Sequence, residues 1–208
     1  MGKKKVNVLF VGAHPDDIEL GCGGTILKHI ENEDNVFCLV LTNGEKGNHP
    51  SDKEECIASL NSLGIKEIFF GNFPDGYIAD NHKTVSFIES LIKNLDIHRI
   101  YTHDPNDKHQ DHRNCSLAVS SAARKVKEIL LFQGPSTTNF ESHYLIGLSE
   151  NHLNKKIEAL KKYKSQIEKS TVNIPVVKKI AEINGYHCNS QYAEAFNLNH
   201  IFVDEENV

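Results

Sequence analysis

Short apolar segments rich in β-branched residues alternate with segments of helical periodicity along most of this 208-residue chain. Helical patterns begin near Ile18, Ser51, Val85 and Asp111. The apolar segments between them predict five buried strands, at residues 6–11, 36–41, 67–70, 99–102 and 129–132. Strands that alternate with helices form right-handed βαβ units, which build parallel sheets. The pattern therefore predicts an α/β protein, a single Rossmann-like domain over residues 1–208 with a mainly parallel sheet flanked by helices.

The pattern changes after Gly134-Pro135, where a strand is expected at residues 143–148. Ser149 is then expected to cap a charged helix whose apolar face carries Leu153, Ile157, Leu160 and Ile167. A further helix is predicted from Pro175 to about Asn184, and residues 192–203 are expected to form a loop and an edge strand. Earlier in the chain, Ser51 and Glu54 have the spacing of a capping box.

Composition excludes several classes of protein. The net charge of −5 gives no support for nucleic acid as the main partner, since such proteins carry a basic face. No apolar stretch approaches 18 residues, so no membrane span is expected, and the start of the chain lacks the features of a signal peptide. The five cysteines include no C-x-x-C pair and are interpreted as reduced, mostly buried thiols of a cytoplasmic protein.

Two clusters of histidine and aspartate follow predicted strands. His14-Pro15-Asp16-Asp17 comes after the first strand, and His109-Gln110-Asp111-His112 lies in the loop after the fourth. Ligands bind beyond the carboxyl ends of the strands in open α/β sheets, so both clusters are expected at the same edge. His14 and Asp17, like His109 and His112, are three residues apart and share a face of a helical turn.

These residue types suit a catalytic zinc site. Such sites use imidazole nitrogens and carboxylate oxygens, with three protein ligands and one open position for water. A further acid close by, not bound to the metal, would take a proton from that water, whose pKa on zinc is about 7. The same donor set also accepts Fe²⁺, Co²⁺ or Mn²⁺.

The motifs of the chain, taken in order, resemble the PIG-L/LmbE-like family of zinc-dependent N-deacetylases, of the N-acetylglucosaminyl deacetylase type. The resemblance spans nearly the whole chain and rests on His14-Pro15-Asp16-Asp17, Gly23-Gly24-Thr25, Thr42-Asn43-Gly44-Glu45, Pro74-Asp75-Gly76, His109-Gln110-Asp111-His112, Ser165-Gln166 and Tyr192-Ala193-Glu194-Ala195-Phe196. It implies one zinc ion as cofactor, with three ligands, which are His14, Asp17 and His112.

The resemblance also implies catalytic roles. Asp16 would be the general base, and His109 would stabilise the oxyanion or move a proton. Asp111 would not bind the metal but would contact an imidazole and fix its orientation. Tyr192 is a weaker candidate for contact with the oxyanion or substrate, since a tyrosine of this kind is more often part of the core.

The chain departs from the family pattern at two positions that are expected to touch substrate or a subunit contact. Asp52 stands where many relatives carry an arginine, and Tyr163 stands where many carry a histidine. These departures bear on the choice of substrate rather than on the metal site.

The expected reaction is hydrolysis of the N-acetyl group of an N-acetylglucosamine-like sugar or sugar conjugate, which releases acetate and an amino sugar. The expected partner is therefore a small N-acetylated molecule, and the formation of a homo-oligomer stays open. Two alternatives also stay open: hydrolysis of another amide, such as an N-formyl or N-acyl nucleotide sugar or thiol glycoside, and a non-catalytic sugar- or nucleotide-binding module.

Several residues have a structural alternative to a functional role. The acids at 16 and 17 could simply cap a turn. The glycines at 21, 23 and 24 resemble a phosphate cradle but lack the G-x-G-x-x-G spacing, so close packing is favoured. Among the other histidines, His49, His103 and His143 lie near predicted loops, and one of them could line a pocket.

Overall fold

Seven strands form one sheet in the computed structural model, which describes residues 5–47 and 52–203. The strands are β1 (Asn7–Gly12), β2 (Asn35–Val40), β3 (Glu67–Phe70), β4 (Arg99–His103), β5 (Glu128–Phe132), β6 (Tyr144–Leu148) and β7 (Tyr192–Ile201). The helices are α1 (Asp17–Glu31), α2 (Asp52–Ser62), α3 (His82–Asn94), α4 (Gln110–Ala122), α5 (Glu150–Leu160), α6 (Lys164–Glu168) and α7 (Ile174–His187). The predicted fold class, a mainly parallel sheet flanked by helices, is confirmed.

The strand order is β3-β2-β1-β4-β5-β7-β6. The first five strands in this order run parallel, and β7 pairs antiparallel with both β5 and β6. The expectation that residues 192–203 form a loop and an edge strand was wrong, because β7 lies inside the sheet and β6 is at the edge. Residues 192–196 are all buried, which an internal strand requires.

The helices differ from the sequence-based expectation mainly near residue 160. Ser149 caps α5 as expected, accepting a hydrogen bond from the backbone of His152. The helix ends at Leu160, however, so Ile167 lies on the separate helix α6 and is 36% exposed. The predicted cap at Ser51 lies outside the described residues. No helix within residues 5–47 and 52–203 has both the length and the apolarity that crossing a membrane demands.

The sheet carries an apolar core on each face. Successive residues of β1 alternate between them: Val8 and Phe10 face one core, while Leu9 and Val11 face the other. Helix α1 contributes to the first core through Ile18, Cys22 and Ile26, and α3 and α4 contribute to the second. A parallel strand covered on both faces is apolar throughout, which explains the apolar runs in the sequence.

The glycines of α1 are required by close packing. A Cβ atom at Gly21 would lie 2.5 Å from the Phe132 ring, and one at Gly24 would lie 2.4 Å from a Leu148 methyl group. Both glycines are inside the helix rather than in a loop before it. The glycine-rich segment therefore lets α1 approach β5 and β6, as the packing interpretation predicted.

A buried ion pair ties three elements together behind α1. Lys156 on α5 donates to Glu194 on β7 at 2.6 Å, and to the carbonyl of Leu20 at 2.8 Å. Glu194 also accepts from the backbone N–H groups of Gly24 and Thr25, at 2.9 and 2.7 Å. Each charge is therefore paired and hydrogen-bonded, which a buried charge requires.

Replacement of Lys156 by methionine tests the importance of this pair. The change removes the cation and leaves the Glu194 carboxylate buried, so the free energy of unfolding should fall by about 3 kcal/mol in urea titrations. Lys161→Met is the matched control, because Lys161 pairs with Glu158 at 2.7 Å with both side chains more than half exposed. The control should lose less than about 1 kcal/mol. Equal losses of unfolding free energy in the two variants would contradict the inference that the buried pair of Lys156 and Glu194 stabilises the fold.

Candidate active site

A cavity of about 550 Å³ opens at the carboxyl edge of the parallel strands. We call it the main cavity; its wall includes His14, Asp16, Asp17, His109 and His112. The first three follow β1, whereas His109 is the N-cap of α4 and His112 lies in the first turn of that helix, after β4. Since β1 and β4 are neighbours in the sheet, the two sequence clusters meet as expected. This volume is in the usual range for a small-molecule site.

The donor atoms of the three predicted ligands lie close together, with His14 near one oxygen of Asp17 and His112 near the other. His14 Nδ1 lies 3.3 Å from His112 Nε2 and 3.5 Å from Asp17 Oδ2, and His112 Nε2 lies 3.4 Å from Asp17 Oδ1. Donor atoms about 2.0–2.2 Å from a tetrahedral ion are about 3.3–3.6 Å apart. The spacing therefore fits a zinc-sized ion. Among the described residues, three sets with one donor atom per residue have all these atoms within 4.8 Å of one another, and none of them is the predicted trio: His14–His109–His112, Asp17–His103–His112 and His14–Asp75–Asp111.

The second ring nitrogen of His14 contacts two carboxylates. His14 Nε2 lies 3.1 Å from Asp111 and 3.3 Å from Asp75, which belongs to the turn after β3. Burial opposes the charged form, but these contacts and that with Asp17 raise the pKa of His14 to about 12. In the metal-free protein a proton on His14 thus offsets negative charge. Carboxylates behind a ligating histidine also fix its tautomer.

His112 has the same kind of support from a different loop. Its Nδ1 atom lies 3.2 Å from Asp107 Oδ2. Asp107 in turn accepts hydrogen bonds from the hydroxyls of Ser136 and Thr137, at 2.5 and 2.8 Å, in the segment after β5. Burial disfavours the charged carboxylate, but these contacts lower the pKa of Asp107 well below its usual value. The ring nitrogen that faces the cavity is therefore Nε2.

His103, at the end of β4, lies beside the carboxylate of Asp17. Its Nε2 atom is 3.1 Å from Asp17 Oδ2 and 3.1 Å from the backbone nitrogen of Ala13. The imidazole is fully buried, and burial lowers its pKa to about 4, so the ring is neutral. The backbone N–H of His14 donates to the same Asp17 oxygen at 2.7 Å. The backbone of His14 thus holds Asp17, and His103 Nε2 donates to the same carboxylate in the tautomer that carries the hydrogen on Nε2, in which it no longer accepts from Ala13.

Asp16 occupies a backbone conformation unusual for a side-chain-bearing residue. It precedes α1 with φ +90°, and its side chain makes no capping hydrogen bond to the helix. Burial, followed by the nearby Asp17 and Glu19 carboxylates, raises the pKa of Asp16 well above its usual value. The alternative of a simple helix cap thus fails for Asp16, whose carboxylate is available in the main cavity. Residues in sparsely populated conformations cluster at active sites.

His109 has a defined tautomer. Its Nδ1 atom accepts a hydrogen bond from the backbone N–H of Asp111 at 3.2 Å. Burial and the neighbouring His14 and His112 lower the pKa of His109, which keeps the ring neutral at pH 7. In a neutral ring with Nδ1 as acceptor, Nε2 carries the hydrogen. His109 can therefore donate a hydrogen bond.

Tyr192 is not brought to the main cavity. It lies at the start of β7, is 6% exposed, and packs with Leu148, Leu153 and Ala181. Tyr163 is also buried, and its hydroxyl donates to Glu19 at 2.6 Å, so it does not line the cavity either. Asp52 does line the cavity and accepts from Ser165 at 3.1 Å.

Three residues that contact the predicted metal ligands were not among the site residues predicted from the sequence: Asp75, His103 and Asp107. Asp75 lies in a motif that the family resemblance used, and His103 was noted only as one of three histidines near loops. Each follows a predicted parallel strand. Position after a strand is thus the signal that could have found them, but it does not indicate which imidazole each one contacts.

Comparison with known proteins gives the family. The chain matches the family described as "PIG-L: GlcNAc-PI de-N-acetylase" over residues 9–123, and it belongs to that family. It is 34% identical to the uncharacterized deacetylase YaiS of Escherichia coli (strain K12) over 172 residues, which cover 78% of this chain and 92% of that protein. Family and relative together support a deacetylase, which is a hydrolase.

A more distant relative has a named substrate. The 1D-myo-inositol 2-acetamido-2-deoxy-alpha-D-glucopyranoside deacetylase of Mycobacterium tuberculosis (strain ATCC 25618 / H37Rv) is 28% identical over 141 residues. The match covers 50% of this chain and 46% of that protein, so this chain spans about half of that relative.

Solved structures with the same fold have lower sequence identity to this chain than these two relatives. The conserved protein TT1542 from Thermus thermophilus has a TM-score of 0.85 and 24% identity, covering 97% of this chain and 98% of that one. N,N'-diacetylchitobiose deacetylase from Pyrococcus horikoshii has a TM-score of 0.81 and 20% identity, covering 97% and 88%. GalB, a 4-carboxy-2-hydroxymuconate hydratase from Pseudomonas putida KT2440, has a TM-score of 0.83 and 17% identity, covering 96% and 98%. The fold alone therefore does not specify the reaction.

The contact between His103 and Asp17 predicts an effect on metal affinity. His103→Phe keeps a ring between His112 and Phe132 but removes the nitrogen beside Asp17. Affinity for Zn²⁺ or Co²⁺, measured by competition with a chromogenic chelator, should fall by about 10- to 100-fold. His82→Phe, at the exposed start of α3, is the control and should leave the affinity unchanged. If both variants bind metal equally well, His103 does not position Asp17.

Proposed function

We propose that this protein is a zinc-dependent N-deacetylase that acts on an N-acetylglucosamine-like sugar or sugar conjugate and releases acetate and an amino sugar. One observation carries the proposal: the pairwise contacts among His14, Asp17 and His112 are 3.3–3.5 Å and use both oxygens of Asp17, and the side chain of Asp16, which makes no capping hydrogen bond, lines the same cavity. Fe²⁺, Co²⁺ or Mn²⁺ would fit the same donors.

The substrate class is proposed from the relatives. The mycobacterial relative is named for an acetamido-glucopyranoside, and the pyrococcal structure is of a diacetylchitobiose deacetylase. Polar side chains of the main cavity, among them Gln110, Ser136 and Gln166, offer hydrogen-bonding groups for sugar hydroxyls. We therefore propose a small N-acetylated sugar as partner, bound without nucleic acid or membrane insertion.

Asp16 is proposed as the general base. A bound zinc ion would polarise the amide carbonyl and lower the pKa of a bound water molecule to about 7. Asp16 would accept the proton of the attacking water, for which a carboxyl with a raised pKa is better suited than an ordinary one. Its neighbour Asp17 is less suited to this task, because it is proposed as a metal ligand and one of its oxygens already accepts from the backbone N–H of His14.

His109 is proposed to stabilise the oxyanion. With Nδ1 engaged by the backbone of Asp111, the hydrogen on Nε2 is available to the oxygen that becomes negative during attack. A preorganised donor of this kind costs no rearrangement when the charge develops. The leaving amine would take a proton from Asp16 or from His109. Asp111 would act behind His14 by orienting its ring.

Asp16→Asn should lower turnover by about 10²- to 10⁴-fold, because the amide cannot accept the proton of the attacking water. Asparagine tolerates the positive φ at this position, so the fold should be retained. Metal content, measured by elemental analysis, should match that of the unaltered protein. Asp80→Asn, at an exposed site, is the control and should keep full turnover. Turnover near normal in the Asp16 variant would refute its role as base.

The substrate proposal is tested by amine release from a panel of N-acetylglucosamine conjugates, with N-formyl and longer N-acyl analogues alongside. We expect acetate and free amine in equal amounts from at least one conjugate. A chelator should abolish the release, and added zinc should restore it. Release from no N-acetyl sugar, or release that persists after the metal has been removed, would overturn the proposal. The cytoplasmic location expected from the sequence stays a prediction.

A further inference from the structure

A second cavity, of about 210 Å³, adjoins the main cavity. We call it the side cavity. Its wall shares Leu20, Pro135 and Thr171 with the main cavity, so the two spaces are neighbours across these side chains. Leu20 is one helical turn from Asp16, since its backbone N–H bonds to the Asp16 carbonyl at 2.9 Å. One turn of helix is about 5.4 Å. A group in the side cavity would thus lie close to the reacting amide.

The wall of the side cavity is mainly apolar. Helix α7 contributes Val176, Val177, Ile180 and Ala181, and strand β7 contributes Ala193 and Ala195. These side chains offer dispersion contacts and no hydrogen bonds, and they favour an apolar occupant.

The wall of the side cavity also includes two charged side chains, but they do not make it suitable for a charged ligand. Lys156 and Glu194 pair with each other at 2.6 Å, and both have further hydrogen bonds to the backbone of α1. Their polar atoms therefore already have hydrogen-bond partners within the protein. An ionic ligand would find no unpaired charge there.

The rim of the side cavity leaves apolar surface uncovered. Val176 is 47% exposed and Ile180 is 41% exposed, one turn apart on α7. Exposed apolar surface that lines a concave space is characteristic of a ligand groove. An apolar group in the side cavity would cover both side chains.

We propose that the side cavity binds an apolar group of the substrate, about the size of a phenyl ring or a short alkyl chain. A cavity of about 150 Å³ in another protein holds benzene, so 210 Å³ is enough for such a group. The inference rests on the proposed function, because it places this group next to the amide that is hydrolysed. The group can be the aglycone of the sugar or an extended N-acyl chain.

The experiment separates these two sources. One arm compares kcat/KM for the methyl and phenyl glycosides of N-acetylglucosamine. The other compares methyl glycosides that carry an N-acetyl or an N-hexanoyl group. We expect the larger apolar group to raise kcat/KM about tenfold in one arm, which identifies the source. No increase in either arm would overturn the inference.

A pair of substitutions on α7 locates the effect. Ile180→Asp places a charge in the wall of the side cavity and should bring the ratio of the two kcat/KM values close to one. Ile183→Asp is the matched control, because Ile183 is on the same helix, is 60% exposed and does not line the cavity. It should keep the full ratio. Equal loss in both variants would show that the side cavity is not where the group binds.

Equilibrium binding keeps this test independent of turnover. If no amide is hydrolysed, the proposed function fails, but the phenyl glycoside of N-acetylglucosamine and the methyl glycoside of N-hexanoylglucosamine can still be titrated against the protein, each beside the methyl glycoside of N-acetylglucosamine. Tighter binding of either larger ligand that is lost in Ile180→Asp and kept in Ile183→Asp would support the side cavity alone. Equal affinity for all three ligands would overturn it.

Discussion

The pairing of β1 with β4 is the constraint on which the candidate site depends. Parallel pairing of Val8–Phe10 with Arg99–Tyr101 brings the ends of both strands to the same level, so that His103 reaches the backbone of Ala13 and the carboxylate of Asp17. The histidine and aspartate clusters then face each other although His14 and His112 are 98 residues apart in sequence. Without this adjacency neither cluster has enough donors to enclose an ion.

Carboxylates do most of the positioning around the imidazoles. Asp111 and Asp75 contact His14 from the side away from Asp17, and Asp107 contacts His112 in the same way. Asp75 comes from the turn after β3, whereas Asp107 and Asp111 come from the loop after β4 and the first turn of α4. The geometry of the site therefore depends on how the sheet places two separate segments rather than on a single loop. The arrangement also gives the two adjacent acids different environments. Asp17 accepts a hydrogen bond from the backbone of His14, whereas the side chain of Asp16 makes no hydrogen bond to the helix that follows it.

The sequence predicted the parallel part of the fold because buried parallel strands and amphipathic helices leave local periodic patterns. It also predicted the members of both clusters, since each follows a strand. It did not predict that residues 192–201 enter the sheet between β5 and β6, because pairing partners of an antiparallel strand leave no local signal. The sequence also could not show that Tyr192 packs against Leu148 and Leu153 in the core instead of lining the main cavity. Contacts such as His103 to Asp17 depend on tertiary geometry alone.

The position of β7 has a consequence for how the chain reaches its folded state. Glu194 binds the backbone of Gly24 and Thr25 across about 170 residues of sequence, and these residues belong to the helix that begins with Asp17. During synthesis the first strand and helix emerge early, yet they lack this anchor until the strand carrying Glu194 has left the ribosome. Contacts of such long range slow folding. The helix that begins at the candidate active site therefore gains this anchor late, from the last strand of the described fold.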